Sequence, residues 1–163
     1  MVKSGEKCKA MTMFRGHSFR SLDPKGRLML PPEFREIAAL SKAGPRLMLT
    51  NFDGCVVGYT LPEWEKIEED FNRANTMVKG LRNFQRFFIS GAVEVPLDKQ
   101  GRLLIPPHLR EYAHLSREVA VAGVGRKIEI WDRETFEARR KEMEDTFDDD
   151  MAALAEKGFE IRL

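Results

Sequence analysis

The chain has few of the residues from which disulfide frameworks, metal sites and membrane anchors are built. It holds 2 cysteines and 3 histidines among 163 residues. Two cysteines are too few for a disulfide scaffold, and no CxxC motif occurs, so we expect free thiols in a reducing cytoplasm. A Cys8–Cys55 bridge is the alternative. No apolar run reaches the roughly 18 residues of a membrane helix, and the start, MVKSGEKCKA, lacks the apolar core of a secretory signal. These absences predict a cytoplasmic protein without metal, cofactor or membrane contact.

Signatures of the common enzyme classes are also missing. The sequence contains no GxxxxGK[ST] loop, no GxGxxG after a strand, no HExxH and no GxSxG. Two catalytic interpretations remain open. Asp23 and Asp98 could form a symmetric carboxylate pair, or one of the scattered histidines 17, 108 and 114 could supply a base or metal ligand. Because no histidine lies in a ligand-spaced motif, surface or turn positions explain them more simply, and we expect no enzymatic activity.

The sequence does contain an internal repeat. Residues 22–38 read LDPKGRLMLPPEFREIA and residues 97–113 read LDKQGRLLIPPHLREYA, with 10 of 17 positions identical at an offset of 75 residues. A repeat of this kind sets the architecture. It predicts two copies of one small unit, related by a pseudo-twofold axis.

Each copy is predicted to run strand, turn, strand, short helix, hairpin, longer helix. The turns have Asp first and Gly fourth, Asp23 to Gly26 and Asp98 to Gly101, as type I turns prefer. Paired prolines end the strands that follow. Thr60 to Glu63 fits a capping box, and Asp132 fits a helix cap. The predicted strands are 17–22, 27–30, 46–51, 55–60, 92–97, 102–105, 119–124 and 127–131, and predicted helices include 33–40, 75–88 and one ending at 113.

Neither half is large enough to bury a core alone. Units of about 70 residues bury too little surface, and short strands leave open edges. We therefore expect an α+β fold in which the two repeats interleave into one β-barrel-like or sandwich core with flanking helices. The aromatic rows at helical spacing are core candidates, and their number also favours burial between subunits. These rows are Trp64, Ile67 and Phe71, and Met77, Leu81, Phe84 and Phe88.

The net charge of +1 is unevenly distributed. Residues 1–46 carry 10 Lys and Arg against 4 Asp and Glu, a net of +6, and residues 47–132 carry 11 against 12, a net of −1. Residues 133–163 carry 6 against 10, a net of −4. This asymmetry predicts that the basic end faces a polyanion while the acidic end stays away from it. A solvated basic tail is the alternative.

Two arginines at equivalent positions are the main candidates for binding DNA. Arg27 and Arg102 each follow the turn glycine and precede an apolar strand. A two-stranded β element fits the major groove, where arginine binds a guanine edge or a phosphate. Each arginine could instead pair with the aspartate four residues earlier, which with the glycines would then be purely turn residues. Arg35 and Arg110, on the short helices, are expected in surface or inter-unit ion pairs. Further residues could extend the basic surface: Arg15, Arg20, Lys25 and Lys99.

Several separated motifs, in order, resemble the MraZ family. They are Met13-Phe14-Arg15-Gly16, Leu22-Asp23-Pro24-Lys25-Gly26-Arg27 with Pro31, Leu61-Pro62-Glu63-Trp64, Leu97 to Pro106, and Lys127 to Asp132. The resemblance covers residues 13–140. It implies two tandem SpoVT-AbrB swapped-hairpin domains in a bacterial transcriptional regulator of the division and cell-wall gene cluster, its own promoter included. The family's DNA-contacting Asp-x-x-x-Arg motif maps onto Asp23 with Arg27 and onto Asp98 with Arg102.

The resemblance further implies a cytoplasmic, nucleoid-associated repressor that assembles into a ring and binds repeats in double-stranded promoter DNA. In it, the arginines contact DNA while Asp23, Gly26, Asp98 and Gly101 orient the turns. We expect a disordered extension at 1–12, a first repeat at 13–73, a connecting helix at 74–91, a second repeat at 92–145 and an acidic tail at 146–163. The alternatives are an AbrB-like antitoxin or a structural oligomer whose paired turns bind a protein partner.

Overall fold

The computed structural model describes residues 13–74 and 76–163. The predicted extension at 1–12, and with it Cys8, lies outside these residues, while Cys55 is a buried free thiol. The first repeat comprises β1 (His17–Ser21), β2 (Arg27–Met29), α1 (Pro32–Ala38), β3 (Arg46–Phe52), β4 (Cys55–Tyr59) and α2 (Leu61–Arg73). Helix α3 (Lys79–Ser90) follows. The second repeat comprises β5 (Val93–Pro96), β6 (Arg102–Leu104), α4 (Pro107–Tyr112), β7 (Glu118–Val124), β8 (Lys127–Asp132) and α5 (Arg133–Glu156).

The two repeats exchange their first strands. A six-stranded antiparallel sheet has the order β1-β7-β8-β4-β3-β5. Strand β1 of the first repeat therefore pairs with β7 of the second, and β5 of the second pairs with β3 of the first. Strands β4 and β8 join the two hairpins at the centre. The predicted interleaving of the halves around a pseudo-twofold relation is confirmed by this pairing.

The predicted barrel-like closure is not confirmed, because the sheet is open with β1 and β5 at its edges. Strands β2 and β6 pair only with each other, as a separate two-stranded ribbon of three residues each. Paired prolines follow both strands, and proline cannot donate to a ladder. The ribbon therefore ends after three residues in each strand and stays separate from the large sheet.

The large sheet is buried on both faces. Alternating strand residues point to one side or the other, so Val56 contacts the ribbon side while its neighbour Val57 contacts the long helices. On the ribbon side, α1 and α4 cover a core that is fully buried at its centre. The opposite face packs against α2, α3 and α5 through Trp64, Phe88 and Trp131. The ribbon and α5 consequently lie on opposite faces of the sheet.

Two helix starts differ from the sequence expectation. Helix α3 begins at Lys79 rather than near residue 75, and Arg82 Nη1 donates to the carbonyls of Thr76 and Met77 at 2.9 and 2.8 Å. Those carbonyls thus accept hydrogen bonds from a side chain instead of from the backbone N–H groups of a longer helix. At α2 the Thr60 side chain makes no capping hydrogen bond. The Asp132 cap of α5 is confirmed, since its carboxylate accepts from the Thr135 N–H.

Helix α5 continues well past the expected start of the acidic tail at residue 146. It ends at Glu156 with Gly158 at a φ of +82°. The N–H of Gly158 donates to Ala155 O at 3.1 Å and that of Phe159 to Leu154 O at 3.1 Å, which is a Schellman end. None of the helices among the described residues is long and apolar enough to span a bilayer.

Candidate nucleic-acid interface

The first repeated turn is held together by one carboxylate. Asp23 Oδ1 accepts hydrogen bonds from the backbone N–H groups of Lys25 and Arg27, both at 2.9 Å. Asp23 Oδ2 accepts a charge-assisted hydrogen bond from Arg27 Nε at 2.5 Å. The Gly26 N–H donates to Asp23 O at 2.9 Å, which closes the turn. Asp23 thus fixes both the turn and the direction of the Arg27 guanidinium group.

The second turn repeats this geometry. Asp98 Oδ1 accepts from the N–H groups of Gln100 and Arg102, both at 2.9 Å, and Oδ2 accepts from Arg102 Nε at 2.8 Å. The Gly101 N–H donates to Asp98 O at 2.9 Å. The internal aspartate–arginine pairing that the sequence left open is therefore present in both copies.

The ribbon of β2 and β6 brings the two turns side by side. Leu28 pairs with Leu103 at its centre, and both are fully buried beneath the ribbon. Because successive strand side chains alternate, the flanking residues point the other way. The outward face is therefore formed by Arg27, Met29, Arg102 and Leu104.

The charged groups of the two turns form one cluster. Arg102 Nη1 lies 4.0 Å from Asp23 Oδ2, so the second arginine reaches the carboxylate of the first turn. The four arginine and aspartate side chains keep 26% to 36% of their surface exposed. The Nε of Arg27 is bonded to Asp23, but within residues 13–74 and 76–163 its terminal Nη groups have no partner. That edge of the guanidinium is free for a bidentate contact with a phosphate or a guanine.

Both aspartates are held in the charged form. Hydrogen bonding by the Arg27 backbone N–H lowers the pKa of Asp23, and the Arg102 N–H lowers the pKa of Asp98 in the same way. Hydrogen bonds to a carboxylate favour its ionised state. A carboxylate pair for acid–base catalysis would need one raised pKa, so this geometry argues against the catalytic interpretation of Asp23 and Asp98.

Acidification is expected to loosen both turns. The pKa of each aspartate is lower in the folded protein than in the unfolded chain, where it is about 3.9. The ionised carboxylate therefore stabilises the folded turn fully above that unfolded-state pKa, and this stabilisation is lost as pH falls through the folded-state pKa. The backbone amides of Arg27 and Arg102 should therefore keep constant NMR shifts from pH 7 to 5 and move below about pH 4. Asp23→Asn is the matched control, because it should remove the titration at Arg27 and leave that at Arg102. A titration midpoint at or above the unfolded value of about 3.9 would contradict the role of the carboxylates.

The other basic candidates divide into two groups. Lys25 and Lys99 are exposed on the turns themselves. Arg15 and Arg20 line a cleft of about 250 Å³ with residues 31–34, directly after β2. Arg20 Nε also donates to Ser18 Oγ at 3.3 Å. The structure thus gathers Lys25 and Lys99 with the central arginines and places Arg15 and Arg20 in a separate cleft.

Two features of this surface were missed by the sequence reasoning. Leu104 is 51% exposed and shares the outward face with Met29, as the alternation along β2 and β6 could have indicated; such side chains contact thymine methyl groups. The expected ion pairs of Arg35 and Arg110 are absent from the part of the chain that the structure describes. The side chain of each packs against the turn glycine of the other repeat instead.

The three histidines have different local surroundings. His17 lies 5.2 Å from the Phe136 ring, measured between centroids. His108 Nε2 lies 3.0 Å from Gly91 O, and His114 is exposed at the end of α4 with a φ of +51°. No group of three or more histidine, cysteine, aspartate or glutamate side chains that could hold a metal ion occurs among the described residues.

Comparison with known proteins identifies the repeat. The family model described as "MraZ protein, putative antitoxin-like" matches residues 13–87 and again residues 88–157. The chain is 56% identical over 151 residues to the transcriptional regulator MraZ of Solidesulfovibrio magneticus, covering 92% of this chain and 99% of that protein. It is 46% identical over 149 residues to the transcriptional regulator MraZ of Nitratidesulfovibrio vulgaris strain Hildenborough, covering 91% and 98%. The corresponding values for the protein of that name in Maridesulfovibrio salexigens are 46% over 148 residues, covering 91% and 97%. The paired turns, the strand exchange and these matches together establish that the chain belongs to the MraZ family.

Proposed function

We propose that this protein is a sequence-specific DNA-binding transcriptional regulator whose contact surface is the ribbon of β2 and β6. The proteins it matches are named transcriptional regulators. We further propose that it represses the bacterial division and cell-wall gene cluster, including its own promoter, from the cytoplasm and nucleoid. Its role in this proposal is binding, without catalysis.

One observation carries the proposal. Two arginines stand on the same face of a two-stranded ribbon, and each is aimed by an aspartate of its own turn. Ribbons of this width enter the DNA major groove, and pre-oriented guanidinium groups lose little conformational entropy on binding. Arg27 and Arg102 would contact DNA, with Lys25, Lys99, Arg15 and Arg20 binding phosphates around them.

The distribution of charge supports the same orientation. Helix α5 lies on the face of the sheet opposite the ribbon, and residues 142–156 contain seven Asp and Glu and no Lys or Arg. A polyanion is repelled from that side and attracted to the basic turns. The duplex should therefore approach the ribbon face.

A binding titration tests the function. Purified protein is titrated at two salt concentrations against DNA from upstream of its own gene, with random DNA of equal length as control. If basic side chains neutralise phosphates, the logarithm of the affinity falls linearly with the logarithm of the salt concentration, with a slope of about −0.9 per phosphate contact. We expect salt-sensitive binding that prefers the upstream DNA. Equal binding to random DNA, or none, would favour an antitoxin-like module or a structural oligomer that binds a protein partner.

We also propose that the protein assembles with itself into a ring. Apolar residues recur along one face of α5, beginning at Phe136, which packs on the protein's own sheet. The same face continues outward through four exposed residues: Met143, Phe147, Met151 and Leu154. An exposed apolar row of this length is typical of a protein–protein contact.

Helix α3 is a suitable partner surface for this row on a neighbouring subunit. Phe84 and Phe87 are 44% and 53% exposed, and α3 carries three basic residues and no acidic one. The outer half of α5 is acidic, so the two helices are complementary in charge as well as apolar. A contact between different surfaces of neighbouring copies is heterologous and can close a ring.

Phe147→Asp is expected to reduce the protein to smaller species. The substitution places a charge in the centre of the apolar row, where the proposed contact would have to desolvate it. Light scattering should report a fall in molar mass with unchanged circular dichroism. Ala152→Asp, on the opposite side of the same helix, adds the same charge and should leave the mass unchanged. A mass unaffected by Phe147→Asp would contradict assembly through this row.

A further inference from the structure

Each DNA-facing turn is in contact with an arginine from the other repeat. At Gly26, in the first repeat, a Cβ atom would lie 2.7 Å from both Cζ and Nε of Arg110, in the second repeat. At Gly101, in the second repeat, a Cβ atom would lie 2.4 Å from Cδ and 2.9 Å from Nη1 of Arg35, in the first. Separations below 3 Å mean that a side chain at either glycine would have to displace the arginine. Arg35 and Arg110 occupy equivalent positions in the two copies.

We propose that Arg110 and Arg35 are positioning residues, each bracing the DNA-contacting turn of the opposite repeat. The inference rests on the proposed DNA-binding function and names residues that this function did not assign. In it, Arg27 and Arg102 touch DNA, while Arg110 and Arg35 act through the turns. We call this arrangement the cross-brace.

At the first turn the cross-brace is a closed chain of contacts. The Gly26 carbonyl accepts a hydrogen bond from the Ile105 N–H at 3.0 Å. The Ile105 carbonyl in turn accepts one from Arg110 Nε at 3.0 Å, and the guanidinium lies against the Gly26 backbone. Since Gly26 immediately precedes Arg27, any movement of this peptide changes where the Arg27 side chain is presented.

At the second turn the same relation holds with different atoms. The Gly101 carbonyl accepts a hydrogen bond from the Leu30 N–H at 3.3 Å, and the Arg35 side chain covers Gly101 with Cδ nearest and Nη1 and Nε beside it. The hydrogen bond at Gly101 is longer, and within the described residues the Arg35 side chain makes no hydrogen bond of its own, so this brace is the weaker of the two. We therefore expect the first turn to depend on its brace more than the second.

The charge of Arg110 is not needed for bracing, which gives a sharp test. In glutamine the Nε2 atom stands at the same distance along the side chain as Nε in arginine, so Arg110→Gln can still donate to Ile105 O. Arg110→Ala cannot. Backbone amide hydrogen exchange, measured without DNA, should accelerate at Gly26, Arg27 and Ile105 in Arg110→Ala and return towards the native rate in Arg110→Gln. Arg35→Ala, the matched control, should accelerate exchange at Gly101 and Arg102 and spare the first turn.

DNA affinity is measured on the same variants at two salt concentrations, after circular dichroism has confirmed the fold. Arg110→Ala should weaken binding by about 5- to 10-fold, the size expected for one lost hydrogen bond, and Arg110→Gln should bind like the native protein. Neither substitution at Arg110 should change the slope of log affinity against log salt concentration. A general loss of structure would accelerate exchange in both turns alike, so the selective pattern distinguishes bracing from plain destabilisation.

Three results would overturn the cross-brace. The first is unchanged exchange at Gly26 and Arg27 in Arg110→Ala. The second is an Arg110→Gln protein that binds weakly with a salt slope reduced by about 0.9, since Arg110 would then be a phosphate contact. The third is an Arg110→Ala protein whose amides exchange faster but which binds DNA with native affinity, although Arg27→Ala loses affinity. If Arg27→Ala also kept native affinity, the proposed DNA site itself would be wrong, and the exchange data would still report on the brace.

Discussion

Replacing Arg27 by alanine is expected to abolish sequence-specific DNA binding while the protein stays folded and assembled. The side chain is partly exposed and its only partner in the described chain is Asp23, so its removal leaves the core intact. One bidentate arginine–base contact is worth about 1–3 kcal/mol, or roughly 5- to 150-fold in affinity. An assembly that engages several DNA repeats would lose this contact in every subunit. Specific binding should therefore fall to the level of random DNA.

Arg73→Ala is the matched control for this experiment. It also removes one positive charge, but Arg73 ends α2, on the far face of the sheet, and pairs at the surface with Asp70. Electrophoretic mobility shift or fluorescence anisotropy measures both variants against the same promoter fragment. If Arg27→Ala bound as tightly and as selectively as Arg73→Ala, the ribbon would not be the DNA-binding surface.

Replacing Gly26 by alanine is expected to lower both stability and DNA affinity. Its φ is +85°, which costs an L-residue about 1–2 kcal/mol. The added methyl group would also collide with the Arg110 guanidinium, and losing the Arg110–Ile105 hydrogen bond adds about 1 kcal/mol. Chemical denaturation should show a fall of about 2–3 kcal/mol in the free energy of unfolding. DNA affinity should fall as well, because the turn that presents Arg27 shifts.

Gly44→Ala separates the two causes. Gly44 has a similar φ, +93°, but nothing lies within 4 Å of the Cβ position. It therefore reports the backbone cost alone, and the difference between the two variants reports the collision with Arg110. DNA affinity should be unchanged in Gly44→Ala. Equal destabilisation by the two substitutions would mean that Arg110 moves aside freely and that the tight packing at Gly26 has no energetic weight.

The turns and most elements could be predicted from the sequence because their causes are local. Asp23 and Gly26 determine the turn through hydrogen bonds that span at most four residues. The predicted core rows are confirmed at Trp64 and Phe88, which are buried, but not at Phe84, which is 44% exposed, or at Met77, which is 82% exposed and precedes α3. Where a local signal failed, a competing local partner explains it. At Thr60 the expected capping box did not form, and Glu63, its second member, pairs with Lys66 at 3.0 Å.

The open sheet and the contacts of Arg35 and Arg110 could not be predicted in the same way. Both depend on how the two repeats are placed against each other, and spacing along the chain does not record this. The identity of Arg35 with Arg110, and of Gly26 with Gly101, signals that these positions matter in both copies. Only the exchange of β1 and β5 between the halves reveals that each arginine belongs to the opposite turn.

The exchange of first strands also governs when this protein can fold during its synthesis. His17 pairs with Ala122, which the ribosome adds 105 residues later. Until β7 has emerged, β1 has no partner strand, and β3, which pairs with β4 along one edge, has its other edge open until β5 is made. A nascent first half therefore exposes unpaired strand edges and half a core, which are conditions that favour aggregation. Folding is accordingly a late event, completed only when nearly the whole chain is available, and long-range pairing of this kind makes it slow.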